Sequence, residues 1–137
     1  SHKVYDLTKE HDSTIIMDAA DINYKGANVL SISTIEHVGN GEYGPKEPGK
    51  AWDLLCKIKK ESKNYLISFP VGFNKDFDQT IIDKKEKYFL MFRDLNNNWY
   101  KAYPEQTLLD FEFCNPYYAG NAVAFLSNLD IEFTFGA

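Results

Sequence analysis

The sequence predicts an all-β fold, mainly antiparallel and arranged as a β-sandwich or a jelly-roll-like barrel, with at most one short helix. Aromatic residues make up 15% of the chain, and aromatic side chains pack well on pleated sheets. Several segments alternate apolar and polar residues with a period of two, and turn residues separate them at short intervals. The length of 137 residues suffices to bury one core, so a single β-rich domain, 1–137, is predicted.

Two strands are predicted in the N-terminal third of the chain. Residues 14–19 (TIIMDA) and 28–38 (NVLSISTIEHV) are rich in β-branched residues, which favour strands. The residues YKGAN between them supply a turn.

Residues 51–60 (AWDLLCKIKK) fit two structures. As a strand, the segment places Trp52, Leu54, Cys56 and Ile58 on one face. As a helix, it gathers Trp52, Leu55 and Cys56 on a narrower stripe. We favour the strand, because ESKN followed by YLISFPV would complete a hairpin with it.

The remainder of the chain is predicted to be a loop followed by four antiparallel strands. Residues 73–83 form a polar and aromatic loop with a short strand at 80–82. Strands at 88–93 and 99–103 are joined across DLNNN, because Asn tolerates the left-handed backbone of tight hairpins. Residues 109–113 and 123–135 alternate apolar with polar residues and supply the other two strands.

The stretch 39–52 (GNGEYGPKEPGKAW) contains two near-matches to nucleotide-binding motifs, G-x-G-x-x-G and G-x-x-x-x-G-K-[ST]. Both motifs place backbone amides at the start of a helix around a phosphate. Here Pro45 and Pro48 oppose such a helix, and Ala51 stands where a hydroxyl should contact magnesium. We therefore interpret the stretch as an extended surface loop between two strands.

The charge distribution argues against a nucleic-acid partner. The net charge is −5 and the pI is near 5.1, whereas a duplex binder normally carries a basic face. Six lysines lie between Lys46 and Lys63, and no Lys or Arg follows Lys101. The basic and acidic segments either neighbour each other or face water within one fold, or they meet between two subunits.

No apolar run approaches the length of a membrane span, and the N-terminal residues SHKVYDLTKEHD do not resemble a secretory signal. A soluble protein without membrane insertion is therefore expected, in a virion or in the cytoplasm. Cys56 and Cys114 are too few for a disulfide framework or a C-x-x-C metal site, and the sequence leaves open whether they form one bridge.

Residues 94–105 share part of the spacing of an EF-hand calcium loop. Oxygen-bearing side chains stand at its first, third and fifth positions, but Trp99 replaces the glycine that makes the sharp turn. A looser calcium site remains an alternative to a plain hairpin turn, with the candidate ligands Asp94, Asn96 and Asn98. No other cofactor is expected.

No catalytic motif is present, since the sequence contains neither G-x-S-x-G nor H-E-x-x-H. The acidic residues of the predicted strands alternate with apolar ones, and we interpret them as the solvent-exposed face of the sheet. The chain is therefore expected not to be an enzyme.

Aromatic residues in loops are the remaining functional candidates, because such residues serve in protein interfaces and in sugar-binding sites. We predict a structural or interaction protein, a subunit of a larger assembly such as a virion or phage tail or capsid, with itself or other proteins as partners. The alternative is a carbohydrate- or other ligand-binding β module. A flat apolar patch beside an unpaired edge strand would favour assembly, and an exposed row of aromatics would favour sugar. The candidate residues are Tyr43, Phe73, Phe77, Trp99, Tyr117 and Tyr118.

Overall fold

A five-stranded mixed sheet dominates the structure, which is a computed structural model describing residues 2–8 and 11–132. Its strands lie in the order β3-β4-β7-β5-β6. They are β3 (Asn28–Ile32), β4 (Asn64–Pro70), β5 (Phe89–Arg93), β6 (Trp99–Lys101) and β7 (Ala122–Ser127). A separate pair joins β1 (Val4–Asp6) to β2 (Thr14–Ile16) in parallel. The strands predicted at 14–19 and 28–38 are therefore present but end early, at residues 16 and 32.

Two α-helices interrupt the strands, α1 (Lys50–Glu61) and α2 (Lys75–Asp83). They are 12 and 9 residues long, and the main sheet pairs β3 with β4 in parallel across α1. The predicted sandwich or jelly-roll-like barrel with at most one short helix is therefore wrong. Instead, both helices pack with alternate residues of the central strands into one hydrophobic core.

The predicted strand at 51–60 is wrong because the helical period accounts for more of its apolar residues. The buried side chains of α1 are Ala51, Leu54, Leu55 and Ile58, spaced i, i+3, i+4 and i+7, which is the stripe of an amphipathic helix. Cys56, which the strand would bury, is exposed. With a helix here, β3 and β4 are joined by a crossover, as parallel strands require.

The predicted loop at 73–83, with its short strand at 80–82, is also wrong. Asn74 caps α2, because its side-chain oxygen accepts a hydrogen bond from the Phe77 amide at 3.0 Å. Phe77 and Ile81, one turn apart, face the core and are 2% and 0% exposed. This cap and this spacing specify a helix.

Of the four antiparallel strands predicted for the C-terminal part, three are present. The hairpin across DLNNN is confirmed as β5 and β6, with Asn97 at φ 61° in the turn. Residues 109–113 are not a strand, because Thr107 and Asp110 form a capping box around a 3₁₀ turn at Leu108–Asp110. β7 ends at Ser127, short of the predicted 123–135, and residues 133–135 lie outside the described residues.

Candidate functional site

The face of the sheet opposite the helices carries apolar residues on its first strand. β3 alternates, with Val29 packed against the core while Leu30 and Ile32 are 66% and 64% exposed. Leu30 lies beside Leu66 of β4, and Ile32 lies beside Ser68. We call the exposed residues Leu30 and Ile32, with the outer main chain of β3, the β3 edge patch.

The outer edge of β3 has no neighbouring strand among the residues that the structure describes. Ser33 donates its amide to the Ser68 carbonyl at 2.9 Å, and bonding residues alternate along a parallel ladder. The odd-numbered residues therefore face β4, and Asn28, Leu30 and Ile32 direct their amides and carbonyls outward. The Thr34 hydroxyl donates to the Ile32 carbonyl at 3.1 Å.

The sequence did not single out the β3 edge patch. Residues NVLSI are uncharged and mostly apolar on both faces, so the pattern could not show which face is buried. The lack of charge was the available signal, since edge strands are commonly protected by charged side chains or proline.

Two predicted binding aromatics, Trp99 and Tyr117, pack against Arg93. The Arg93 guanidinium lies 3.8 Å from the Tyr117 ring centroid and 5.5 Å from that of Trp99, distances typical of cation–π contacts. The Tyr117 hydroxyl donates to the Asp94 carbonyl at 2.7 Å. Tyr118 is 95% exposed.

The other predicted aromatics lie elsewhere in the fold. Tyr43 and Phe73 pack edge-on against the His37 ring, with centroid separations of 5.8 and 4.7 Å. Phe77 is a core residue and lies 5.1 Å from the Phe69 ring. Five of the six candidates therefore divide among the surroundings of Arg93, the surroundings of His37 and the core, and the sixth, Tyr118, is exposed. Their role in binding stays a prediction.

The predicted calcium ligands form the turn between β5 and β6. Asp94 Oδ1 accepts hydrogen bonds from the amides of Asn96 at 2.8 Å and Asn98 at 2.9 Å, and Oδ2 accepts one from the Tyr100 hydroxyl at 3.2 Å. These bonds, that from Asn98 foremost, hold the pKa of Asp94 below its ordinary value. In the described ranges no three or more His, Cys, Asp or Glu side chains are grouped as metal ligands. Calcium binding here stays a prediction.

Residues 39–49 of the glycine-rich stretch form a loop, as predicted, but the loop leads from β3 and a 3₁₀ turn at Ile35–His37 into α1 and not into a second strand. Lys50 begins α1, as a P-loop lysine would. Its ammonium, however, lies 3.0 Å from a carboxylate oxygen of Asp18 and 3.0 Å from one of Glu47.

Lysines of the basic segment pair with acidic residues that precede the acidic C-terminal segment, so the relation between the two segments stays a prediction. Lys46 contacts Asp76 at 3.5 Å, and Lys59 contacts Glu86 at 2.7 Å. Cys56 and Cys114 are both free thiols on the surface, which answers the question of a bridge within the chain.

Two carboxyl groups are buried near the carboxyl ends of β3 and β4. Glu36 is 2% exposed, and burial raises its pKa to about 7. Its Oε2 has no hydrogen-bond partner among the described residues, and its Oε1 lies 3.8 Å from His37 Nε2. Asp78 is also 2% exposed, and burial raises its pKa to about 6, although its Oδ2 accepts the Gly72 amide at 2.6 Å. Charged residue types are rarely buried, so the burial of these two carboxyl groups could not be predicted from the sequence.

None of the described helices combines the length and apolar character needed to cross a bilayer. Comparison of the chain with protein-family models, with curated proteins and with solved structures finds no match.

Proposed function

We propose that this chain is a non-enzymatic structural protein that associates with a second copy of itself through the β3 edge patch. The observation that carries the proposal is an uncharged outer strand bearing Leu30 and Ile32 at 66% and 64% exposure. Such an edge is a template for pairing with another strand. An apolar patch beside an unpaired edge is the feature expected of an assembly subunit.

The register of β3 suits a symmetric pair. If two β3 strands run antiparallel with Leu30 at the two-fold axis, Leu30 faces Leu30 of the second copy, and Asn28 faces its Ile32. The residues that meet are those whose amides and carbonyls point outward, so about six main-chain hydrogen bonds form. An interface around a two-fold axis must be self-complementary in this way.

The pairing also places apolar side chains together. Leu30 and Ile32 of both copies lie on the same face of the joined sheet. Leu30 pairs directly with Leu30 of the second copy, with Ile32 diagonal to it, and a cross-strand apolar pair contributes up to about 1 kcal/mol. The lysines Lys46, Lys50 and Lys59 pair within the chain. We therefore expect the association to change little between about 0.05 and 0.5 M salt, since apolar contact is not screened.

The substitution Leu30→Lys tests the proposal. Wild-type protein is expected to show the mass of a dimer by light scattering, and the variant the mass of a monomer, because two ammonium groups would face each other across the axis. Leu95→Lys is the matched control, because Leu95 is 81% exposed in the β5–β6 turn; it should keep the dimer. A monomeric wild type at all concentrations, or a dimeric Leu30→Lys protein, would contradict the proposal.

A further inference from the structure

A cavity of about 380 Å³ lies beyond the carboxyl end of β3, where residues of the β1–β2 pair, the glycine-rich stretch and the start of α1 meet. Sites for small molecules commonly have volumes of about 300–1,000 Å³. In open sheets with parallel strands, ligands bind outside the carboxyl ends of those strands. Size and position therefore both fit a ligand site.

The charged side chains that line the cavity are mostly acidic. Among the described residues, three carboxylates, those of Asp6, Asp18 and Glu47, face one ammonium, that of Lys50, and the His37 imidazole. The lining therefore has an excess of two negative charges when His37 is neutral and of one when His37 is protonated. The Asp18 carboxylate is firmly ionised, because the Ala20 amide donates to it at 2.9 Å and Lys50 contacts it, which hold its pKa below the ordinary value.

The same geometry disfavours an anionic ligand. The Lys50 ammonium already lies 3.0 Å from Asp18 and 3.0 Å from Glu47. A phosphate or carboxylate would have to displace one of these partners and would face the remaining acidic groups. The glycine residues that resembled a nucleotide-binding motif thus line a cavity of the wrong charge for phosphate.

Apolar and aromatic side chains form the rest of the wall. Aromatic rings attract organic cations through their electron-rich faces, and aliphatic groups accommodate the body of such a molecule. A ligand with both a cationic group and an apolar body matches both parts of the wall. The side chains that provide this surface are Tyr5, Leu7, Met17, Ile22, Val38 and Tyr43.

We propose that this cavity binds a small organic cation, an amine carried on an apolar body. The excess carboxylates neutralise the ammonium, and the tyrosines and aliphatic residues contact the body. The site does not include Leu30 or Ile32, so it is independent of the proposed self-association.

The test compares three probes of similar shape: phenethylammonium, 3-phenylpropionate and 3-phenylpropan-1-ol. Each is titrated into the full chain while the amide NMR signals of Gly39, Gly41 and Gly44 are followed. The ammonium is expected to shift these signals saturably and to bind at least about tenfold more tightly than the other two probes, a difference of about 1.4 kcal/mol. Equal or tighter binding of the carboxylate, or no shift of these glycines with any probe, would overturn the proposal.

A pair of variants tests whether the cavity carboxylates are responsible. Glu47→Gln keeps the size of the side chain and removes one charge, so phenethylammonium should bind about three- to tenfold more weakly. Asp53→Asn is the matched control, because Asp53 is exposed on α1 and does not line the cavity; binding should be unchanged. If both variants bind phenethylammonium equally weakly, the attraction comes from the overall negative charge, and the assignment of the site to this cavity is contradicted.

Discussion

Replacing Gly72 with alanine is expected to lower the free energy of unfolding by about 3 kcal/mol. Gly72 follows β4 with φ at 83°, a left-handed conformation that costs a residue with a Cβ about 1–2 kcal/mol. An added Cβ would also lie 2.7 Å from the Phe113 amide nitrogen, so the backbone would have to move. Overpacking of this kind costs a further 1–3 kcal/mol, roughly.

The substitution Gly26→Ala separates the cost of the left-handed backbone from the cost of the close contact made by the added Cβ. Gly26 has a similar φ of 68°, but an added Cβ there meets nothing within 4 Å. Urea unfolding should show a loss of only about 1 kcal/mol for this control. If both variants lose the same stability, the close approach of residues 111–113 to Gly72 is not a constraint on the fold.

Replacing Glu36 with glutamine is expected to stabilise the protein by about 2–3 kcal/mol at pH 8.5 and to change little at pH 5. The folded protein raises the pKa of Glu36 from 4.5 to about 7 because of burial. The folded state thus holds the proton more tightly than the unfolded state. The stability contributed by the neutral carboxyl is present below about pH 4.5 and is lost as the pH rises through 7.

Glutamine stays neutral throughout this range, so the variant should not show that loss. Unfolding in urea at pH 5 and pH 8.5 measures the difference, with Glu105→Gln, an exposed glutamate of the loop after β6, as the control that should lack the effect. Asp78, whose pKa is raised to about 6, contributes a loss of the same sign at lower pH in both proteins. A variant whose stability follows the wild-type pH profile would show that Glu36 is not kept neutral by burial.

The sequence predicted those elements whose apolar residues fit a single periodicity. Strands β5 and β6 with their Asn turn, and the start of β7, were predicted within a few residues, whereas β7 ends at Ser127 and not at the predicted residue 135. α1 was mistaken because Leu54 and Ile58 fit both periods, and Ala51 was not counted as a core residue. With α1 read as a strand in a hairpin with β4, the parallel crossover from β3 to β4 could not be predicted, so the fold class was mistaken as well.

The sequence predicted that an exposed surface would mediate binding, but it did not identify the residues of the β3 edge patch. Loop position suggested exposure for six aromatics, yet Phe77 is in the core because it lies on the buried face of α2, and Tyr117 packs on Arg93 of β5. The exposure of Leu30 depends on which face of β3 the helices cover. That choice follows from the crossover through α1, which the sequence pattern did not specify.

The position of β7 bears on the order in which the chain can fold as it is synthesised. β7 is the last strand of the described residues, yet it lies between β4 and β5, with Leu66 beside Ser127 and Phe89 beside Phe125. A nascent chain that has not yet released residues 122–127 from the ribosome has two partial sheets with open inner edges. Such edges promote aggregation during synthesis, so the described sheet is complete only once β7 is available.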